Sequence, residues 1–133
     1  MSFNASFGFL RRVLIADAVS SAAMGLLLLT LNEQVSAMLS LPSELLSEAG
    51  LVLLPFAAFV AFVASRDLPS RKAVWAIMAM NAVWVVDSVL LLFSGWIQPN
   101  LFGQAFIAMQ ALFVLVMTEL EYVGLKRSAV VAH

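Results

Sequence analysis

The residues that could do chemistry in this chain are few. Asp17, Asn81, Asp87, Gln104 and Gln110 each interrupt an apolar run, and Glu119 and Glu121 follow near the end of the last run. A carboxylate held at the centre of a bilayer costs about 2.5–3.5 kcal/mol on insertion scales. Such a residue needs either a hydrogen-bonding neighbour or a task that requires a protonatable group. Asp87, in the stretch NAVWVVDSV (Asn81–Val89), poses the question most sharply, because its only basic neighbours in the run, Arg71 and Lys72, stand at the far end and leave no intramembrane Lys or Arg to pair with it. The chemistry open to it is narrow: hydrogen bonding between helices, or proton exchange coupled to movement of a solute.

Most other chemistry is excluded by composition. There is no Cys, and the single His is His133. Disulfides, thiolate catalysis, Cys-held iron–sulfur clusters and bis-His haem within one chain are ruled out. No Ser/His/Asp set, HExxH motif, phosphate-cradling Gly loop or aqueous carboxylate pair is present. The seven Met residues are scattered along the chain, as gap-fillers are, rather than gathered at one depth as a copper(I) site would require. The chain is therefore not expected to be an enzyme, and no cofactor or metal is implied. A net charge of −1 offers nucleic acid no attraction.

The elements that position these residues are membrane helices. In 133 residues the hydrophobic fraction is 63% and the charged fraction 11%, which leaves too few polar residues to clothe a soluble domain. Four runs reach the roughly 20 residues that a span needs: about 13–31, 43–65, 69–96 and 101–124. The expected fold is all-α: one domain over 1–133, a four-helix membrane bundle. Pro42-Ser43 opens the second span, Pro99-Asn100 turns the chain into the fourth, and Asn32 is placed to cap a short helix, EQVSAML, between the first two. That segment is acidic yet carries Val35, Met38, Leu39 and Leu41, and is expected to lie at the interface, as a connector or as a docking surface. Pro55, inside the second span, removes one backbone donor and should bend that helix.

Orientation follows from charge. Arg11, Arg12, Arg66, Arg71, Lys72, Lys126 and Arg127 all fall at one face of a four-span protein, while Glu33, Glu44 and Glu48 fall at the other. The positive-inside rule puts both termini in the cytoplasm, for a multi-pass protein of the cell inner membrane. Trp75 and Tyr122 then lie near the inner boundary and Trp96 near the outer one. Arg11-Arg12 before an apolar run, with Val35-Ser36-Ala37 downstream, imitates a signal peptide, but the run is long for one and three more spans follow.

Helical spacing sorts the polar residues by face. Asp17, Ser20, Ser21 and Met24 share one face of the first span, where Ser21 and Gly25 form a small-xxx-small pair. Ala57, Ala61 and Ser65 form a similar stripe on the second span. Asn81, Trp84 and Ser88 share a face of the third, and Gln110, Val114, Met117 and Glu121 a face of the fourth. The expected arrangement is a polar seam of Asp17, Asn81, Asp87, Gln104 and Gln110. Within it Asp87 should meet Gln104 or Gln110, because a tight IQPN turn makes the third and fourth spans antiparallel neighbours. Asp17 can reach the inner interface or meet Arg12 or Arg71, and an interfacial or structural role is expected for it. Glu119 and Glu121, close to Lys126 and Arg127, read as a solvated, charge-balanced helix end.

The segments FLRRVLIADAVSSAAMGLLLL, GLVLLPFAAFVAFVAS and NAVWVVDSVLLLFSGW resemble those of an uncharacterised family of small four-span bacterial integral membrane proteins. The resemblance covers nearly the whole chain and implies a four-helix inner-membrane fold without a defined activity. A looser likeness to small multidrug transporters lies in chain size, span number and an acid in the first span, here Asp17. Those proteins carry a Glu there, and Asp87 has no counterpart in their pattern. The function expected is a structural or accessory role through helix–helix association, with the lipid bilayer and a second copy or another membrane protein as partners. The alternative is a proton-coupled small-solute transporter working as an oligomer, with Asp87 as the protonatable residue.

Overall fold

The computed structural model describes residues 2–66 and 69–132, with side chains described for 8–66 and 69–127; His133 lies outside the described residues. Among these the chain is all helical, with five helices: α1 (Ser2–Thr30), α2 (Asn32–Leu39), α3 (Ser43–Ser65), α4 (Arg71–Ser94) and α5 (Leu101–Ala132). Four stretches are long and apolar enough to cross a membrane: Gly8–Thr30, Ser43–Ser65, Arg71–Ser94 and Leu101–Arg127. The chain is accordingly described as a multi-pass membrane protein. Large side chains such as Leu26, Leu51, Phe62, Leu90 and Phe102 stand exposed on the outward faces. That is the inverse of a soluble surface and suits a bilayer.

Local chemistry sets the helix ends. Ser70 caps α4 by accepting the Ala73 amide at 3.3 Å. Gly95, at φ 81°, ends that helix in the left-handed conformation, and Ser40, at φ 56°, ends α2 in the same way. Asn32 does not cap α2. It is the first residue of that helix, and its Nδ2 instead donates back to the Leu29 carbonyl at 3.0 Å, closing the end of α1. A helix-terminal carbonyl lacks an intrahelical donor, so the amide is drawn to that orphan acceptor.

Helix α1 packs between α3 and α5, α4 packs against α5, and α2 lies across the end formed by α3 and α5. The α1/α3 contact depends on absent side chains. A Cβ at Gly50 would come within 2.8 Å of Leu29 Cγ and 2.9 Å of the Gly25 carbonyl, so the two backbones cross where only hydrogen atoms fit. On α3 the buried small and apolar stripe is Ala57, Val60 and Ala64. It runs one position off the expected Ala57-Ala61-Ser65 line, and Ala61 and Ser65 are exposed.

Two apolar clusters hold the bundle. One joins Leu10, Leu14, Val60, Val63, Val74 and Ile77 near the chain termini. The other joins Leu28, Leu39, Leu46, Leu53 and Ile107 at the opposite end. Between them α3 and α4 barely touch, and their seam opens into a groove.

The basic residues gather at one end of this bundle. Arg11 Nε donates to the Ala64 carbonyl at 3.0 Å and its Nη2 to that of Arg66 at 2.5 Å, so a guanidinium of α1 satisfies the end of α3. Arg71 reaches the Leu125 carbonyl at 3.4 Å. Trp75 and Tyr122 pack edge to face at the same end, centroids 6.1 Å apart. At the opposite end, Asn100 fastens α2 to the start of α5. Its backbone N–H donates to the Leu39 carbonyl at 3.2 Å and its side-chain amide to the Met38 carbonyl at 2.9 Å. Its Oδ1 accepts the Gly103 N–H at 2.8 Å, capping α5.

Candidate functional site: a buried acid pair and an open groove

The polar residues of the spans form two separate constellations and one isolated acid. The first constellation joins three helices. Asn81, on the buried face of α4 with Ile77, Met78 and Ser88, extends its amide across the bundle. Its Nδ2 donates to Asp17 Oδ2 of α1 at 3.0 Å and to Glu121 Oε1 of α5 at 3.2 Å. Ser21 Oγ, one turn along α1, donates to Asp17 Oδ1 at 3.4 Å. Asp17 is 4% exposed, Asn81 4% and Glu121 0%. A single amide nitrogen bridges the two carboxyls, and Glu121 Oε2 meets no donor. No Lys or Arg pairs with either carboxyl among the described residues.

Two expectations are corrected here. Asp17 meets Ser21 and Asn81 rather than Arg12 or Arg71. It lies on the buried stripe Leu10, Leu14, Asp17, Ser21 that faces α5 and α3. Glu121 is not a solvated helix end. The buried stripe of α5 runs Ile107, Ala111, Met117, Glu121, Leu125, so helical register carries Glu121 inward although Lys126 and Arg127 are near in sequence. Glu119 remains exposed. The face Gln110-Val114-Met117-Glu121 already signalled this; proximity to the basic end was the weaker guide.

The second constellation joins α4 to α5. Trp84 Nε1 donates to Gln110 Oε1 at 2.7 Å, and Gln110 Nε2 donates to Ser88 Oγ at 2.9 Å. Each polar atom of the Gln110 amide is thereby used, with the Ile107 carbonyl as a further acceptor at 3.0 Å. Gln104 stays at the start of α5, exposed, donating to the Pro99 carbonyl at 3.3 Å. Neither Gln meets Asp87.

Asp87 is exposed and makes no hydrogen bond among the described residues. It is one position short of Ser88, and one residue of helix is enough to turn it about 100° away from the face that Asn81, Trp84 and Ser88 share. It stands where two hollows of the α3/α4 seam meet. The larger, about 820 Å³, is lined by Leu51, Pro55, Phe56 and Phe59 of α3 and by Met80, Asn81 and Val83 of α4. The smaller, about 250 Å³, continues toward α2 between Glu48, Leu91 and Phe106. Trp84, Val52 and Asp87 line both.

This arrangement can bind or exchange protons and can receive an apolar body with a polar group on it. Among the described residues no group of three or more His, Cys, Asp or Glu is placed to hold a metal ion. No known family, curated protein or solved structure matches the chain.

Proposed function

We propose that the chain is a small protein of the bacterial inner membrane with a structural or accessory role, exercised through helix–helix association at the α3/α4 groove. The observation that carries this is Asp87, an exposed acid in a membrane-length helix with no hydrogen-bond partner among the described residues. An acid turned to acyl chains is costly. A neighbouring helix seated in the groove, from a second copy or from another membrane protein, offers the donor that the described residues do not. The same reading takes both termini as cytoplasmic and α2 as an interfacial helix on the far surface, supported by the concentration of basic residues at the end of the bundle that holds the termini.

A photo-reactive residue at Met80 or Val83, both exposed in the groove, tests this in the producing cell's membrane. The expected result is a protein adduct that disappears on Asp87→Leu, with only lipid adducts from Leu112, exposed on α5 away from the groove. Lipid adducts alone from every position would sink the proposal.

A second reading is favoured by one observation: the groove that exposes Asp87 also reaches Asn81, and so the buried acids behind it. It makes the protein a proton-coupled small-solute transporter working as an oligomer, with Asp87 as the protonatable residue. Proton-coupled flux in liposomes that is lost in a stably folded Asp87→Asn variant would establish it over the first.

A further inference from the structure

The association reading leaves Asp17 and Glu121 without a role, although they are the most deeply buried acids among the described residues. Their hydrogen bonding is short by one donor. The two carboxyls present four oxygens. Ser21 Oγ supplies Asp17 Oδ1, the Asn81 amide supplies Asp17 Oδ2 and Glu121 Oε1, and Glu121 Oε2 is supplied by nothing. Two ionised carboxyls bridged by one amide nitrogen repel each other, and neither can donate to the other. One proton on either acid removes both problems. It provides the missing donor and leaves a single negative charge shared with the amide.

The surroundings offer no substitute for that proton. From α3 the neighbouring groove wall is Phe56 and Phe59. The basic groups of adjacent helix ends are used elsewhere: Arg71 reaches the Leu125 carbonyl one turn beyond Glu121, and Arg11 reaches the end of α3. Arg12, Glu119 and Lys126, nearest along α1 and α5, are exposed, as is Asp87 on α4. Neither carboxyl lines either hollow of the groove, but their two donors, Ser21 and Asn81, both line the larger one. The pair thus lies one side chain behind an opening.

We propose that Asp17 and Glu121, joined through Asn81, form a proton-binding site inside the membrane-spanning bundle, exchanging with the exterior through Ser21 and Asn81 at the α3/α4 groove. The site holds one proton shared between two acids, and the bridging amide keeps both in register whichever of them carries it. This does not depend on what fills the groove.

Infrared spectroscopy of the whole protein in liposomes tests the proposal directly. The protonated-carboxyl C=O band is followed against pH in water and in heavy water, with sodium or with N-methylglucamine as the cation. The expected result is one protonated carboxyl per chain persisting at neutral pH, shifting promptly in heavy water and indifferent to sodium. Glu121→Gln or Asp17→Asn should abolish the band, and Asp87→Asn should leave it unchanged. Several results would overturn the site. These are no such band in the wild type, a band that Asp87→Asn removes and Glu121→Gln does not, a band that sodium displaces at constant pH, or a band that heavy water never shifts. If neither acid variant folds, the wild-type titration, deuterium shift and sodium response still decide the question.

Discussion

The two seams of the bundle treat acid residues in opposite ways. Where α1 meets α5, the seam is closed, and Asp17 and Glu121 are enclosed with an amide from α4 between them. Where α3 faces α4, the seam is open, and Asp87 stands in it with no hydrogen-bond partner among the described residues. The difference is one of registry rather than composition. Asp17 and Glu121 fall on the buried stripe of their helices, whereas Asp87 falls one residue off the stripe of its own. In hydrocarbon a closed seam satisfies its polar groups from within the chain, and an open one must satisfy them from outside it.

The comparison can be broken most forcefully at Asn81. Asn81→Leu leaves two buried carboxyls without their shared donor, and is expected to lower stability by about 3 kcal/mol, the upper end for orphaned buried acceptors. Thermal unfolding of the purified protein in detergent reads this loss, and a change under 1 kcal/mol would mean that the bridge is not structural. Next in size is Gly124→Val at the α1/α5 crossing, where even a Cβ would sit 3.0 Å from Leu10 Cα. Overpacking there should cost about 1–3 kcal/mol and appear in the same assay. Gln110→Leu removes the acceptor of Trp84 and the donor to Ser88. It should cost about 0.6–1.7 kcal/mol, the range for hydrogen bonds between membrane helices, with a change in Trp fluorescence as the indole loses its partner. The smallest effect belongs to the open seam. Met80→Ala, on an exposed groove position, should change monomer stability by no more than about 0.5 kcal/mol.

Much of this organisation was legible in the sequence, and the limits are physical. Apolar run length located the four membrane-length helices because no other element satisfies its backbone across hydrocarbon. Helical spacing also grouped Asn81 with Trp84 and Ser88, the face that α4 buries. Pairing across helices was harder to read, because it depends on how each helix is rotated about its axis. Gln110 was an evident partner for something on α4, yet it takes Trp84 and Ser88 rather than Asp87. Glu121 departs from its expected place because proximity to Lys126 and Arg127 points to solvent, while the register with Met117 and Leu125 carries it inside. The Asn81 bridge from α4 to α1 spans 64 residues of sequence, and no local pattern announces a contact of that range.

The most direct test of the contrast between the seams is to unfold the purified monomer with each acid environment made apolar in turn. Asp87→Leu should leave the monomer as stable as the wild type or more so, because it removes an acid that no described residue satisfies. Asn81→Leu should fall well below the wild type in the same detergent. Equal losses in the two variants would show that Asp87 is satisfied within its own chain, and would contradict the account.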